Sequence, residues 1–151
     1  MKKLAAIALL ALLTVSPALA VDKVQISADL FTVAEGNQQA VFTGNVIVVH
    51  PSVKVWADKV TAIYGEGGTT DIKSFVATGK VVRLKTDEQD ATGEKAVFTP
   101  GDQLLRLTGN VVVTNSSGTV NANELVVNLE TNVSTFTGTN GGRVTGVFNA
   151  Q

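Results

Sequence analysis

The chain has 151 residues, 12 basic against 13 acidic, with a formal charge of −1. That balance supplies no basic face to displace counterions from nucleic acid, which excludes a nucleic-acid partner. Cysteine is absent, which excludes disulfides, thiolate metal sites and lipid attachment through a cysteine.

In chain order, Lys2 and Lys3 precede an apolar run from Leu4 to Val15, too short to span a bilayer comfortably. Ser16-Pro17-Ala18-Leu19-Ala20 follows, a helix breaker and an Ala-x-Ala site. Residues 1–20 therefore read as a signal peptide cleaved after Ala20. Residues 21–151 are left as one exported domain large enough for a core. Losing Lys2 and Lys3 tips the remainder further to the acid side, so bulk charge does not explain binding of an anionic lipid.

Two short elements then alternate along the chain. The first is Phe42-Thr43-Gly44-Asn45-Val46, repeated as Ala77-Thr78-Gly79-Lys80-Val81 and Leu107-Thr108-Gly109-Asn110-Val111, with a partial copy at Phe136-Thr137-Gly138. The second reads Ala28-Asp29-Leu30-Phe31, Ala57-Asp58-Lys59-Val60, Gly93-Glu94-Lys95-Ala96 and Ala122-Asn123-Glu124-Leu125. Four units of roughly thirty residues result, each with two strand-forming stretches.

Strands are inferred from period two. Phe31, Val60, Ala96 and Leu125 share one repeat position, and Val33, Ala62, Phe98 and Val127 share the position two further on; all are apolar. The residue before the first set is mostly charged, so one face is inside and the other in water. Turn residues separate the strands at Glu35-Gly36-Asn37, His50-Pro51-Ser52, Gly65-Glu66-Gly67-Gly68, Pro100-Gly101-Asp102, Asn115-Ser116-Ser117-Gly118 and Asn140-Gly141-Gly142. Glycines inside strands mark bends or bulges. The fold class is all-β: a sandwich, jelly roll or rolled antiparallel sheet.

Phe42-Thr43-Gly44-Asn45-Val46-Ile47-Val48 followed by Val53 to Val60 resembles the signature of the OstA-like family. So does Leu107 to Val113 followed by Thr119 to Leu125. The resemblance covers residues 22–148, and within the family it is nearest the soluble periplasmic bridge proteins of lipopolysaccharide transport. It implies a rolled β-jelly-roll, V-shaped and open at both ends, whose apolar interior holds lipid A acyl chains. It also implies head-to-tail stacking between an inner-membrane anchored bridge subunit and an outer-membrane assembly protein. The expected lining is Phe31, Val33, Phe42, Val46, Val60, Ala62, Phe75, Val81, Phe98, Leu105, Leu107, Val111, Leu125, Val127 and Phe136. Alternation alone favours an ordinary closed core. The expected contact edges are Val24 and Ile26 at one end, and Arg143, Val144, Thr145, Val147 and Phe148 at the other.

Other candidates read as structural. His50 is the sole histidine, so a transition-metal site has no second ligand, and no cofactor is implied. Asp87, Glu88, Asp90 and Glu94 lack the spacing of a calcium loop. Asp29 and Asp58 recur at a position where Glu94 and Asn123 also stand, which suits a small polar residue at a turn or edge. Lys54, Lys80, Arg83, Lys85, Arg106 and Arg143 either meet lipid phosphates at the mouth or are plain surface charge. Trp56 reads as a rim residue, on a face alternation leaves open. With no nucleophile elbow or phosphate loop, the chain is expected to bind rather than catalyse. Two other classes remain: a structural β-repeat that assembles edge to edge without lipid, and a chaperone for outer-membrane proteins.

Overall fold

The computed structural model describes residues 23–138 and 142–150; the expected leader, residues 1–20, lies outside them. Ten strands follow in chain order: β1 Gln25–Ser27, β2 Leu30–Ala34, β3 Gln39–His50, β4 Val53–Tyr64, β5 Ile72–Lys85, β6 Gln89–Thr99, β7 Leu104–Asn115, β8 Gly118–Asn128, β9 Val133–Thr137 and β10 Thr145–Phe148. Among the described residues there is no α-helix. Alternation shows directly in β4, where Val53, Val55 and Ala57 are buried while Lys54 and Asp58 are exposed.

The strands make one antiparallel sheet in the order β1-β3-β4-β5-β6-β7-β8-β10. Short β1 and β2 lie end to end along β3, and β9 and β10 lie end to end along β8. The two ends of the sheet do not pair with each other, so this is the expected open antiparallel sheet and not a barrel.

Each long strand is interrupted near its middle. Register shifts fall between Thr43 and Val46, Trp56 and Lys59, Thr78 and Val82, Thr92 and Lys95, and Thr108 and Val111. Together they form one line of bulges across the sheet, and the repeat glycines sit on it. Gly44 and Asn45 have φ of 87° and 48°, and Gly109 and Asn110 have 85° and 47°. That left-handed conformation is free for glycine and tolerated by asparagine. A neighbouring acid closes each bulge: Asn45 Nδ2 donates to Asp29, between β1 and β2, at 3.0 Å, and Asn110 Nδ2 to Glu94 of β6 at 2.6 Å. The recurrent acids are thus structural, but they close bulges within the sheet, where a turn or edge role was expected.

The β5 bulge differs, and it overturns one expectation. Lys80 replaces asparagine there, and neither Gly79 nor Lys80 takes a positive φ. From Thr78 to Val82 the strand uses one residue more than β3 does from Thr43 to Val46, and the Lys80 amide donates to Asp58 at 3.1 Å. The extra residue flips the facing. Val81, expected inside, is 58% exposed, and Val82 is fully buried at 0%.

The sheet also folds along the bulge line. Its upper half carries the turns at Pro51-Ser52, Asp87-Glu88 and Ser116-Ser117; its lower half carries those at residues 65–71, 100–103 and 129–132. His50 of upper β3 lies edge-on to Phe98 of lower β6, with centroids 5.5 Å apart. Gln89 Nε2 of upper β6 donates to Ser134 Oγ of β9 at 3.4 Å. In a flat sheet, strands three places apart stand roughly 14 Å from each other. The apolar faces of the two halves therefore close on one another. Their core joins Val46, Val82, Val111 and Val113 from above to Val60, Leu107 and Leu125 from below.

Candidate functional site

The inner face is built of apolar rows that cross the sheet. Strand register aligns Phe31, Phe42, Val60, Ala77, Ala96, Leu107, Leu125 and Phe136 in one row of the lower half. A second row runs Val33, Ala40, Ala62, Phe75, Phe98, Leu105, Val127 and Ser134. Every expected lining residue except Val81 faces this interior, with Val46 and Val111 in the upper half. Burial changes along a row. Phe31 is 54% exposed at β2, where its ring stacks on Phe42 at 4.5 Å. Val60 and Leu107 are 0% exposed mid-sheet, and Phe136 is half-buried at β9. The result is a trough sealed in its middle and open at both ends.

The matching row of the upper half runs Ile26, Val48, Val55, Leu84, Ala91, Val113, Val120 and Gly146. Apart from Ile26, the sequence reading missed it. Counting outward from the bulge elements passes over it, whereas the alternation of Val53, Val55 and Ala57 signals it.

Between the halves lies a cavity of about 30 Å³, bounded by Val48, His50, Val53 and Val55 above and Val60, Phe75, Phe98 and Leu105 below. This is water-sized space in apolar surroundings that water does not favour. At the C-terminal end the halves diverge into a cleft of about 520 Å³. Val113, Val120 and Phe136 line it together with Val144, Gly146 and Phe148, and Gln89, Asn115 and Ser134 supply its polar atoms. Two of the expected edge residues, Val144 and Phe148, thus wall the interior as well. Val24 and Ile26 lie at and beside β1; Thr145, Val147 and Phe148 lie in β10, just after Arg143 and Val144. β2 and β9 are edges too, which the sequence did not signal.

Polar groups are few on the inner face. His50 is buried, and its Nδ1 accepts the Ser52 amide at 3.0 Å, so it shapes the turn and the seam. The Tyr64 hydroxyl is buried with no hydrogen-bond partner among the described residues.

Trp56 and several of the basic residues lie on the outer face. Trp56 pairs with Ile47 and Arg83 on the outer face, with Lys54 Nζ at 5.2 Å and Arg83 Cζ at 4.9 Å from its ring centre. It therefore faces away from the trough, held by cation–π attraction. Arg106 is paired with Glu124 at 2.9 Å. Arg83 Nε donates to Asp90 at 3.0 Å, and this hydrogen bond holds the Asp90 carboxyl below the usual carboxylate range. The pair favours the folded state above that range, and its contribution fades as pH falls through it. In Arg83→Ala, carboxyl NMR should show Asp90 titrating at higher pH, with global stability nearly unchanged because the pair is exposed.

Comparison with known proteins points one way. Residues 25–133 match the family model described as LptA/(LptD N-terminal domain) LPS transport protein. An uncharacterized protein of Rhizobium meliloti (strain 1021) is 32% identical over 96 residues, covering 60% of this chain and 51% of that protein. The chain thus spans about half the length of that curated relative. The fold is shared with LptH, described as the LptA homologous periplasmic component of the conserved lipopolysaccharide transport device from Pseudomonas aeruginosa. That match has a TM-score of 0.73 at 16% identity and covers 85% of this chain and 96% of the other.

Proposed function

The chain belongs to the LptA/(LptD N-terminal domain) family of LPS transport proteins, and from that premise we propose that it is a non-catalytic periplasmic carrier that shelters lipid A acyl chains inside its folded sheet. The observation that carries this reading is the run of apolar rows that continue past the sealed core to an exposed end at Phe31 and a half-buried one at Phe136. A closed core has no need of them. Each acyl CH₂ withdrawn from water gains about 0.8 kcal/mol, so a chain of roughly twelve carbons gains on the order of 10 kcal/mol. A trough of valine, leucine and phenylalanine holds such chains without one deep polar trap, which suits transit. Because the central cavity is water-sized, loading requires the halves to part.

The edges support the second part of the proposal. Among the described residues, β1 and β2 at one end, and β9 and β10 at the other, leave outer backbone groups open to another strand. Adding one copy's C-terminal edge to the next copy's N-terminal edge is a head-to-tail contact that propagates. Such a row would link an inner-membrane anchored subunit to an outer-membrane assembly protein, conducting lipopolysaccharide passively. Residues 1–20 would direct the chain to the periplasm.

A photo-crosslinking residue tests the reading. At Phe75, Phe98 or Phe136 it should capture lipopolysaccharide, and at outward Val81 it should not. Equal capture at Val81 and Phe98 would defeat the shelter. The narrow central cavity favours one second reading, a structural repeat that assembles by its edges. It predicts concentration-dependent ladders on size exclusion with no lipid captured at any of these positions.

A further inference from the structure

The C-terminal cleft between the halves is crossed by one pair of side chains. Gln89 Nε2 and Ser134 Oγ, 3.4 Å apart, make the only side-chain hydrogen bond between the upper and lower halves away from the bulge line among the described residues. Both residues also border two clefts. On one side is the 520 Å³ cleft floored by Val113, Val120 and Phe136. On the other is a cleft of about 290 Å³ reaching Val127 and Leu129 beneath Thr86, Asp87 and Glu88. The pair is the partition between them.

We propose that this partition is a port through which an acyl chain of the glycolipid passes into the trough, with Gln89 and Ser134 as its latch; the inference rests on the carrier reading above. Three features favour an acylated amphiphile as occupant. The first cleft falls within the roughly 300–1,000 Å³ typical of small-molecule sites. Its floor is apolar, while its rim presents the neutral amides and hydroxyl of Gln89, Asn115 and Ser134. Such groups suit the ester, amide and hydroxyl groups at the head of an acyl chain. Asp87 and Glu88, which line the second cleft next to Gln89, Asn115 and Ser134, repel phosphates from that side of the pair.

The latch is weak enough to work. A donor–acceptor distance of 3.4 Å is at the long limit for a hydrogen bond. The outer wall is also light: every residue of β10 is exposed, with Phe148 at 61%. Few buried apolar contacts mean frequent local opening. At the middle of the trough, by contrast, His50, Phe75 and Phe98 pack together, so separation should begin at the C-terminal end.

The chain has no cysteine, so an introduced pair reports alone. In the full chain, Gln89→Cys with Ser134→Cys would be bridged by a short thiol-to-thiol reagent that dithiothreitol removes. Uptake of fluorescent lipid A from detergent micelles is then followed. The bridged form should load at least about tenfold more slowly, and reduction should restore the rate. Thr114→Cys with Thr119→Cys, which staples β7 to β8 on the outer face without crossing the gap, should load normally when bridged. Equal rates for the bridged and reduced latch would overturn the port while leaving the carrier reading intact. No uptake by the reduced or the unmodified protein would overturn the carrier reading, and the port with it. A lipid-free arm stands apart: amide exchange at Gln89 and Ser134 should be about a hundredfold faster than at Leu107. Equal protection would also overturn the latch.

Discussion

Leu107→Ala should cost about 3–4 kcal/mol of folding stability, measured by urea denaturation. Leu107 is 0% exposed and lies mid-row, between Ala96 and Leu125. Its neighbours in the row are too restrained to fill the space, and Gly93 already lies against the Leu107 side chain. For a domain of this size the melting temperature should fall by about 10 °C or more. Phe31→Ala, in the same row but 54% exposed, should cost less than about 1 kcal/mol. The contrast separates core from conduit. If Phe31→Ala is nearly neutral for stability yet reduces lipopolysaccharide capture, the row's exposed end serves the ligand. Were Phe31→Ala to destabilise as much as Leu107→Ala, the row would be core to its end.

That contrast also marks what a sequence discloses. The two alternating elements stand side by side in the sheet, Asp29 against Gly44, Asp58 against Gly79 and Glu94 against Gly109, because both are needed at each bulge. Local chemistry and period two were enough to find them. Which face closes on which was not legible, since closure depends on contacts such as His50 with Phe98 that lie far apart in the chain. Val81 failed for a subtler reason. Counting two residues past a glycine assumes equal bulges, and Lys80 in place of asparagine was the available warning. Gln89 and Ser134 carried no signal, because a glutamine beside a turn and a serine in a short strand are ordinary until folding brings them together.

The bulge line is the hinge of the folded sheet, and Gly109→Ala should show how firmly it is set. At φ of 85° a side chain costs about 1–2 kcal/mol. The added methyl would also stand 2.7 Å from Glu94 Oε1 and 2.9 Å from Glu94 Cβ. Glu94 must then move, which breaks its 2.6 Å hydrogen bond from Asn110 and costs about 1 kcal/mol more. The total, about 2–3 kcal/mol, should appear in urea denaturation. Glu94→Ala alone should cost about 1 kcal/mol, since an exposed charge-assisted bond is lost without creating a cavity. The double variant should fall short of the sum by roughly 1 kcal/mol, because the displaced carboxylate is counted once and not twice. Gly79→Ala should be milder, as its backbone is not left-handed. Strict additivity at residues 94 and 109 would mean that the carboxylate only borders the bulge, and the hinge would then rest on the Gly-Asn backbone alone.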